Sequence, residues 1–148
     1  MAADAISRRA ALTGVAALVL VRPATSETAD MEAAIRAFAG GAEVRTGKVI
    51  LDVAPLVENG NSVSVAVSVD HPMNAAAHVT TIAIFNEKNP QPGVATFHLT
   101  PRAGRAWVAT RMRMATTQHL TAVARLSDGT FWADRREVIV TIAACTEE

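Results

Sequence analysis

The segment from residue 62 to residue 69 alternates between valine and small side chains. The valines stand at every second position, Val63, Val65, Val67 and Val69, and the residues between them are Ser64, Ala66 and Ser68. Alternate side chains of a strand point to opposite faces of a sheet, so this pattern predicts a half-buried β-strand. The chain is therefore expected to bury one face of a sheet.

Further strand-like runs follow this pattern between turn signals. They are Val49–Val53, Val79–Phe85, Val94–Leu99, Arg105–Arg113, Leu120–Leu126, Thr130–Ala133 and Glu137–Ile142. Asn59–Asn61 is a turn signal, because Gly and Asn tolerate positive φ, and Ser127–Gly129 fits the tight turn of a hairpin. Short strands without βαβ alternation predict an all-β fold, an antiparallel β-sandwich.

A single helix is predicted ahead of the strands, between Glu27 and Gly41. Met31, Ile35 and Phe38 form one apolar stripe at helical spacing. Gly40 and Gly41 would end the helix, since glycine accepts the left-handed conformation that follows a helix. We expect this short N-terminal helix to lie across a sheet.

Residues 1–26 read as an export signal. Arg8 and Arg9 precede an apolar stretch from Val15 to Val21, and Ala24–Ser26 supplies the small residues of a cleavage site. The apolar stretch is shorter than the roughly 20 residues that a membrane-spanning helix needs. The paired arginines resemble a twin-arginine signal, although a Sec signal shares the same general pattern. We expect the protein to be periplasmic, with no membrane segment after cleavage.

The charge balance argues against a nucleic-acid partner. The chain has 14 basic and 14 acidic side chains, and residues 1–26 hold three arginines and one aspartate, which leaves 11 and 13. The net charge after cleavage is then about −2 with histidine neutral. No basic stripe with interleaved aromatic residues is present.

The residue patterns do not predict an enzyme or a metal protein. The four histidines, at positions 71, 78, 98 and 119, form neither an i, i+4 pair nor a His-x-His pair. A metal site needs three or four convergent ligands, so no metal and no cofactor is predicted. The chain has no Gly-x-Ser-x-Gly motif, and only three residues follow the cysteine, too few for a blue-copper ligand loop.

Alternation places Arg111 and Arg113 together on one strand face, opposite Met112 and Met114. Two interpretations stay open for these arginines, and for Arg125, Arg135 and Arg136. They form either the solvated face of a sheet or a patch that attracts anions near the C-terminal tail.

Cys145 is the only cysteine and lies three residues from the C-terminus. Most free cysteines are small buried hydrophobic residues. Chain termini, however, are usually exposed, and an oxidising compartment disfavours an exposed thiol that has no use. We favour a functional thiol at this position.

Several segments resemble one known family, SoxY, the sulfur-carrier subunit of the periplasmic thiosulfate-oxidising (Sox) system. The most specific are the Glu-Asn-Gly-Asn segment 58–61 and the Glu-Lys-Asn-Pro segment 87–90. Val67–Met73, Val94–Pro101 and the terminal cysteine also match. The resemblance spans roughly residues 32–145.

The resemblance implies a carrier without catalytic activity of its own. It implies an immunoglobulin-like sandwich over residues 27–142 and a C-terminal arm, residues 143–148, with sulfur intermediates bound covalently to Cys145. The implied partners are a SoxZ-like subunit in a heterodimer and three Sox enzymes: a thiosulfate-conjugating cytochrome, a sulfate-releasing hydrolase and a sulfur dehydrogenase.

The arm departs from the family pattern, which resembles Gly-Gly-Cys-Gly-Gly. Ala143, Ala144 and Thr146 flank Cys145 and stiffen the backbone relative to glycine. Glu147 and Glu148 add negative charge, which disfavours the reactive thiolate. The alternative is therefore a divergent SoxY paralogue that acts as a protein-binding or regulatory module rather than a carrier.

Overall fold

The structure is a computed structural model, and it describes residues 27–144. It contains one α-helix, α1 (Glu27–Phe38), and a single 3₁₀ turn (Pro101–Ala103). The strands are β1 (Val44–Thr46), β2 (Val49–Val53), β3 (Leu56–Asn59), β4 (Val63–Val69), β5 (Val79–Asn86), β6 (Gly93–His98), β7 (Trp107–Met112), β8 (Gln118–Leu126) and β9 (Phe131–Ile142). Within the described range no helix is long and apolar enough to cross a membrane.

The strands form two sheets. The larger has the order β1-β9-β8-β5-β6, and β3 also pairs with β9; the smaller has the order β2-β4-β7. The long pairings, such as β5–β8 and β8–β9, are antiparallel. Only the short strands β1 and β3 run parallel to their neighbour β9. The predicted all-β antiparallel sandwich with one short N-terminal helix is confirmed.

The main core lies between the two sheets. Val63, Val65, Val67 and Val69 of β4 are all buried in it, whereas Ser64 between them is exposed. Ile82 and Leu120 of the larger sheet are fully buried in the same cluster. The alternation in β4 therefore correctly predicts which side chains face the other sheet.

Helix α1 covers the outer face of the larger sheet. Met31 is 0% exposed and packs in a second apolar cluster that includes Phe85 and Phe131. Phe38 meets the rings of Phe85 and Phe131 edge to face, at 5.8 Å between ring centroids in each case. Because β5 and β8 bury both of their faces, the larger sheet needs this cover.

Strand β9 is one element where the sequence pattern predicts two. The predicted runs are separated by Asp134, Arg135 and Arg136, which interrupt the apolar pattern. In the structure these polar residues have partners: Arg135 forms an ion pair of 2.8 Å with Glu32 of α1. Asp134 accepts a hydrogen bond of 3.0 Å from the backbone N–H of Leu51. The polar residues therefore tie β9 to its neighbours, and the strand continues for 12 residues.

Candidate functional site

Strand β9 leads directly into the segment that precedes the cysteine. It ends at Ile142, and the next two residues differ sharply: Ala143 is exposed, whereas Ala144 is 6% exposed. The backbone N–H of Ala144 donates a hydrogen bond of 3.1 Å to the carbonyl oxygen of Met114. Cys145 and Thr146 lie outside the described residues. The chain is thus held against the sandwich up to the residue before the cysteine.

Three backbone segments meet at this point, which we call the arm junction: Gly60, Met114 and the stretch 142–144. Gly60 donates its N–H to the carbonyl oxygen of Ile142 at 2.8 Å and accepts the N–H of Met114, also at 2.8 Å. Met114 in turn accepts the N–H of Ala144. Each segment is therefore bonded to the next, and the end of β9 is fixed on both sides.

Gly60 is required in the arm junction for space rather than for an unusual backbone conformation. A Cβ on Gly60 would clash with the carbonyl oxygen of Met114 and lie 2.9 Å from the nitrogen of Ala144. Gly60 is not among the described glycines with positive φ, which include Gly40 and Gly41 at the end of α1. The predicted turn at Asn59–Asn61 is present, but positive φ at Gly60 is not its cause.

A loop between β5 and β6 holds the Met114 segment from the other side. The Asn89 side chain donates to the carbonyl oxygen of Arg113 at 2.7 Å and accepts the N–H of Ala115 at 3.0 Å. It also accepts a bond of 2.9 Å from the side-chain amide of Gln118. Asn89 therefore bonds the backbone immediately before and immediately after Met114.

His119 is occupied in holding the same loop. Its Nδ1 lies 2.8 Å from Oε2 of Glu87, whose side chain is only 10% exposed, and the backbone N–H of His119 donates to the same oxygen. His98 is exposed on the edge strand β6. Among residues 27–144, no three His, Cys, Asp or Glu side chains lie together in a way that could hold a metal ion.

The arginines that precede the arm junction face solvent. Arg111 and Arg113 are exposed while Met112 and Met114 are buried, which agrees with the alternation. Within the described range neither arginine forms an ion pair at 4.0 Å or less. Arg113 directly precedes Met114, so a cation lies next to the residue that anchors the arm. This placement is compatible with both open interpretations.

The two most specific segments of the resemblance thus converge on the arm junction. Gly60 comes from the Glu-Asn-Gly-Asn segment and contacts Met114 directly. Asn89 comes from the Glu-Lys-Asn-Pro segment and holds the residues on either side of Met114. Of the two alanines before the cysteine, Ala144 is held by its bond to Met114, whereas Ala143 is exposed. No pattern in the sequence indicates this role of Met114.

Comparisons with known proteins identify a matching family and similar solved structures. A family profile described as "Sulfur oxidation protein SoxY" matches residues 35–145. The solved structure of the sulfur carrier protein SoxY from Chlorobium limicola f thiosulfatophilum is similar, with a TM-score of 0.66 and 31% sequence identity. That match covers 77% of this chain and 94% of the other. No match is found among curated protein sequences.

Superoxide reductases share the fold at low identity. The neelaredoxin from Ignicoccus hospitalis matches with a TM-score of 0.58 and 18% identity over 66% of this chain and 94% of its own. The superoxide reductase from Nanoarchaeum equitans has 12% identity and a TM-score of 0.56, over 65% of this chain and 100% of its own. These likenesses concern the sandwich alone. The profile match from residue 35 to the cysteine, together with the 31% identical structure, shows that the chain belongs to the SoxY family of sulfur oxidation proteins.

Proposed function

We propose that the protein is a covalent sulfur carrier that binds sulfur intermediates on the thiol of Cys145. The observation that carries this proposal is the extent of the family match, which runs through the whole sandwich and ends at residue 145. The solved SoxY of that comparison is itself described as a sulfur carrier.

The proposed loading step joins the Cys145 sulfur to the outer sulfur of thiosulfate. The thiol loses its proton to solvent, an S–S bond forms between the two sulfurs, and the two electrons released pass one at a time to haem groups of a conjugating cytochrome, each of which accepts one electron. Water then attacks the sulfonate sulfur in a hydrolase, which releases sulfate and leaves a persulfide on Cys145. The carrier contributes the thiolate, the nucleophilic form of cysteine, while the enzymes supply the redox and hydrolytic groups.

The proposed setting is the periplasm, with residues 1–26 as the export signal. The proposed partners are a SoxZ-like subunit, which would form a heterodimer with this chain, and the enzymes that load and process the sulfur, including a sulfur dehydrogenase. The carrier itself is proposed to have no enzymatic activity. A gene for a SoxZ-like chain next to the gene for this protein would support the heterodimer.

Intact mass spectrometry tests the carrier function directly. The protein is incubated with thiosulfate and the conjugating cytochrome of a Sox system, and we expect a mass increase that a reducing agent reverses. The Cys145→Ser variant should show no increase. Absence of any adduct on the wild-type protein, in a sample whose thiol is free by titration, would contradict the proposal.

A second candidate function is a non-carrier binding or regulatory module that keeps the SoxY sandwich. The arm favours this alternative in two respects: Ala144 is buried rather than free, and Glu147 and Glu148 place like charge near an anionic adduct. Under this alternative the chain would bind its partners but would be loaded slowly or not at all.

An arm with restored glycines separates the two functions. The variant combines Ala143→Gly, Ala144→Gly, Thr146→Gly and Glu147→Gly with removal of Glu148. If loading rises from nothing to a measurable rate, the native arm is defective and the module is favoured. If the wild type is already loaded and the variant changes the rate little, the acidic arm is a tolerated variant of a working carrier.

A further inference from the structure

The anchored Ala144 sets how far the cysteine can move from the sandwich. If the chain were free after Ile142, the Cα of Cys145 could lie up to about 10 Å from the Cα of Ile142, the length of three extended residues. Consecutive Cα atoms are always about 4 Å apart, so with Ala144 fixed the Cα of Cys145 cannot lie farther than this from a fixed point on the sandwich. Anchoring Ala144 therefore shortens the reach of the next Cα from about 10 Å to about 4 Å from the nearest fixed residue.

Gly60 makes this anchoring sterically possible. The Ala144 amide reaches the Met114 carbonyl only because the adjacent position carries no side chain, since a Cβ there would overlap with Met114 and crowd Ala144. Val140 closes the third side, at 3.1 Å from the same hypothetical Cβ. Because two of these neighbours are backbone atoms, an alanine at position 60 is accommodated only if the segments separate.

Asn89 fixes the orientation of the Met114 carbonyl. Its amide group bonds the carbonyl of Arg113 and the N–H of Ala115, so the peptide groups on both sides of Met114 are held by one side chain. The backbone N–H of Asn89 is in turn bonded to the Asn86 side chain at 3.0 Å, which ties the loop to the end of β5. The acceptor for Ala144 is therefore held by the larger sheet.

We propose that Gly60 and Asn89 are positioning residues for Cys145, acting through the backbone of Met114 on Ala144. This inference rests on the proposed function, in which Cys145 receives the sulfur. The junction holds Ala144 at the end of the sandwich formed by the turn at residues 60–61, the loop at 86–92 and the segment 113–117, and one peptide bond joins Ala144 to Cys145. An enzyme that loads the sulfur must then approach that end, because Cys145 directly follows the anchored Ala144 in the chain.

Hydrogen exchange and a spin label on the single cysteine test the inference. The variants are Gly60→Ala and Asn89→Ala. Gly93→Ala is the matched glycine control, since a Cβ at Gly93 meets nothing within 4 Å. Asn74→Ala is the matched asparagine control, because Asn74 holds a different loop through its Oδ1.

In the wild type we expect protection of the Ala144 amide and a restricted spectrum for a nitroxide on Cys145. Both test variants should weaken the hydrogen bond from the Ala144 N–H to the Met114 carbonyl. Exchange of the Ala144 amide should therefore become about tenfold faster in each of them. Neither control should change it. A nitroxide at position 96, from Thr96→Cys in a Cys145→Ser background, reports on the body of the sandwich and should keep its spectrum in all variants.

Chemical reactivity gives a readout that simple destabilisation would not produce. A small disulfide reagent should react with Cys145 faster in the test variants, because the thiol is less confined. Loading by the conjugating cytochrome should become slower in the same variants, because the thiol is no longer presented at one place. A fall in both rates would indicate a structural role only and would count against positioning.

An unprotected Ala144 amide in the wild type, or a Gly60→Ala variant that leaves it unchanged, would overturn the inference. If Gly60→Ala fails to fold, Asn89→Ala decides the outcome on the same measurements. Failure of the proposed function looks different. In that case the Ala144 amide is protected and responds to the variants, but no sulfur adduct forms on the wild-type cysteine.

Discussion

Asp128 illustrates how a single side chain stabilises a turn at the residue scale. Its Oδ1 accepts hydrogen bonds from the Thr130 hydroxyl at 2.7 Å and from the Thr130 backbone N–H at 2.9 Å. These bonds, the hydroxyl first, lower the pKa of Asp128 from its ordinary value of 3.8. Because the folded pKa is depressed, the contribution to stability is present above the ordinary pKa. It is lost as the pH falls through the folded value.

Thr130→Val should therefore raise the pKa of Asp128 toward its ordinary value. The variant removes the hydroxyl donor but keeps the backbone N–H, so part of the depression should remain. An NMR titration of the Asp128 carboxyl carbon measures the change. Thr96→Val, on the distant strand β6, is the control. An unchanged Asp128 titration in Thr130→Val would contradict the assigned cause.

The acidic residues of the tail should slow the chemistry of Cys145. In Glu147→Gln combined with Glu148→Gln, loss of like charge favours the thiolate, so alkylation at neutral pH should become about twofold faster. The gain should shrink in 1 M salt, because screening weakens interactions over such distances. Glu43→Gln, in the loop before β1, should leave the rate unchanged. An equal rate in all three proteins would show that the tail charge has no influence.

At the scale of elements, β9 is the strand that joins the two sheets. Asp134 projects from β9 of the larger sheet and accepts the N–H of Leu51 in β2, which is an edge strand of the smaller sheet. Its side chain is 17% exposed and also bonds Arg136. A carboxylate therefore satisfies an edge N–H that has no strand partner on that side.

Asp134→Ala should destabilise the protein by about 1–3 kcal/mol, because the Leu51 N–H loses a charged acceptor in a partly buried position. Asp134→Asn keeps an acceptor oxygen and should lose less. Asp52→Ala, an exposed aspartate on β2, should change the free energy of unfolding by less than about 0.5 kcal/mol. Urea unfolding followed by circular dichroism measures all three. A cost for Asp134→Ala equal to that of the control would contradict this account.

The sequence predicts the long elements better than their junctions. The valines of β4 and the stripe of α1 carry periodic side-chain signals, and both elements are present at those positions. Strands β1 and β3 have only three and four residues and do not alternate clearly, so no pattern predicted them. Pairing of Asp134 with a residue 83 positions away likewise leaves no local signal.

The arm junction escaped prediction for a related reason. It is built from backbone N–H and carbonyl groups. Every residue has a backbone carbonyl and every residue except proline has an N–H, so these bonds do not require particular residue types. The sequence indicates Gly60 as a turn residue, but the crowding around its missing Cβ depends on Met114 and Ala144, both distant in sequence. Cys145 is predicted as the functional thiol from its position and from the family resemblance, and it lies outside the described residues.

At the scale of the whole molecule, helix α1, which completes the packing of the larger sheet, and the arm junction are different parts of the fold. Helix α1 closes the outer face of the larger sheet, and Met31 is its most deeply buried residue. The arm junction lies at the strand ends, where Gly60, Met114 and Ala144 meet. Stability and presentation of the cysteine should therefore respond to different substitutions.

Met31→Ala should cost about 2–4 kcal/mol in unfolding free energy, because it leaves a cavity between the helix and the sheet. Met31→Leu, which conserves volume, should cost less than about 1.5 kcal/mol. Thermal and urea unfolding measure these values. Exchange of the Ala144 amide at low denaturant should stay unchanged in Met31→Leu. A cost for Met31→Ala no larger than that of Met31→Leu would show that the helix is loosely docked.

The parallel pairing of β3 with β9 has a mechanical consequence. Leu56 pairs with Ile139 and Asn59 with Ile142, so the last part of β9 is held alongside a second strand until just before the anchor at Ala144. The bonds of a ladder run across the strands, and a pull on Cys145 directed along β9 would load them in shear, several at once. If Cys145 carries sulfur as proposed, a pull on the sulfur along β9 would therefore be opposed by the β3–β9 ladder and by the bond from Ala144 to Met114.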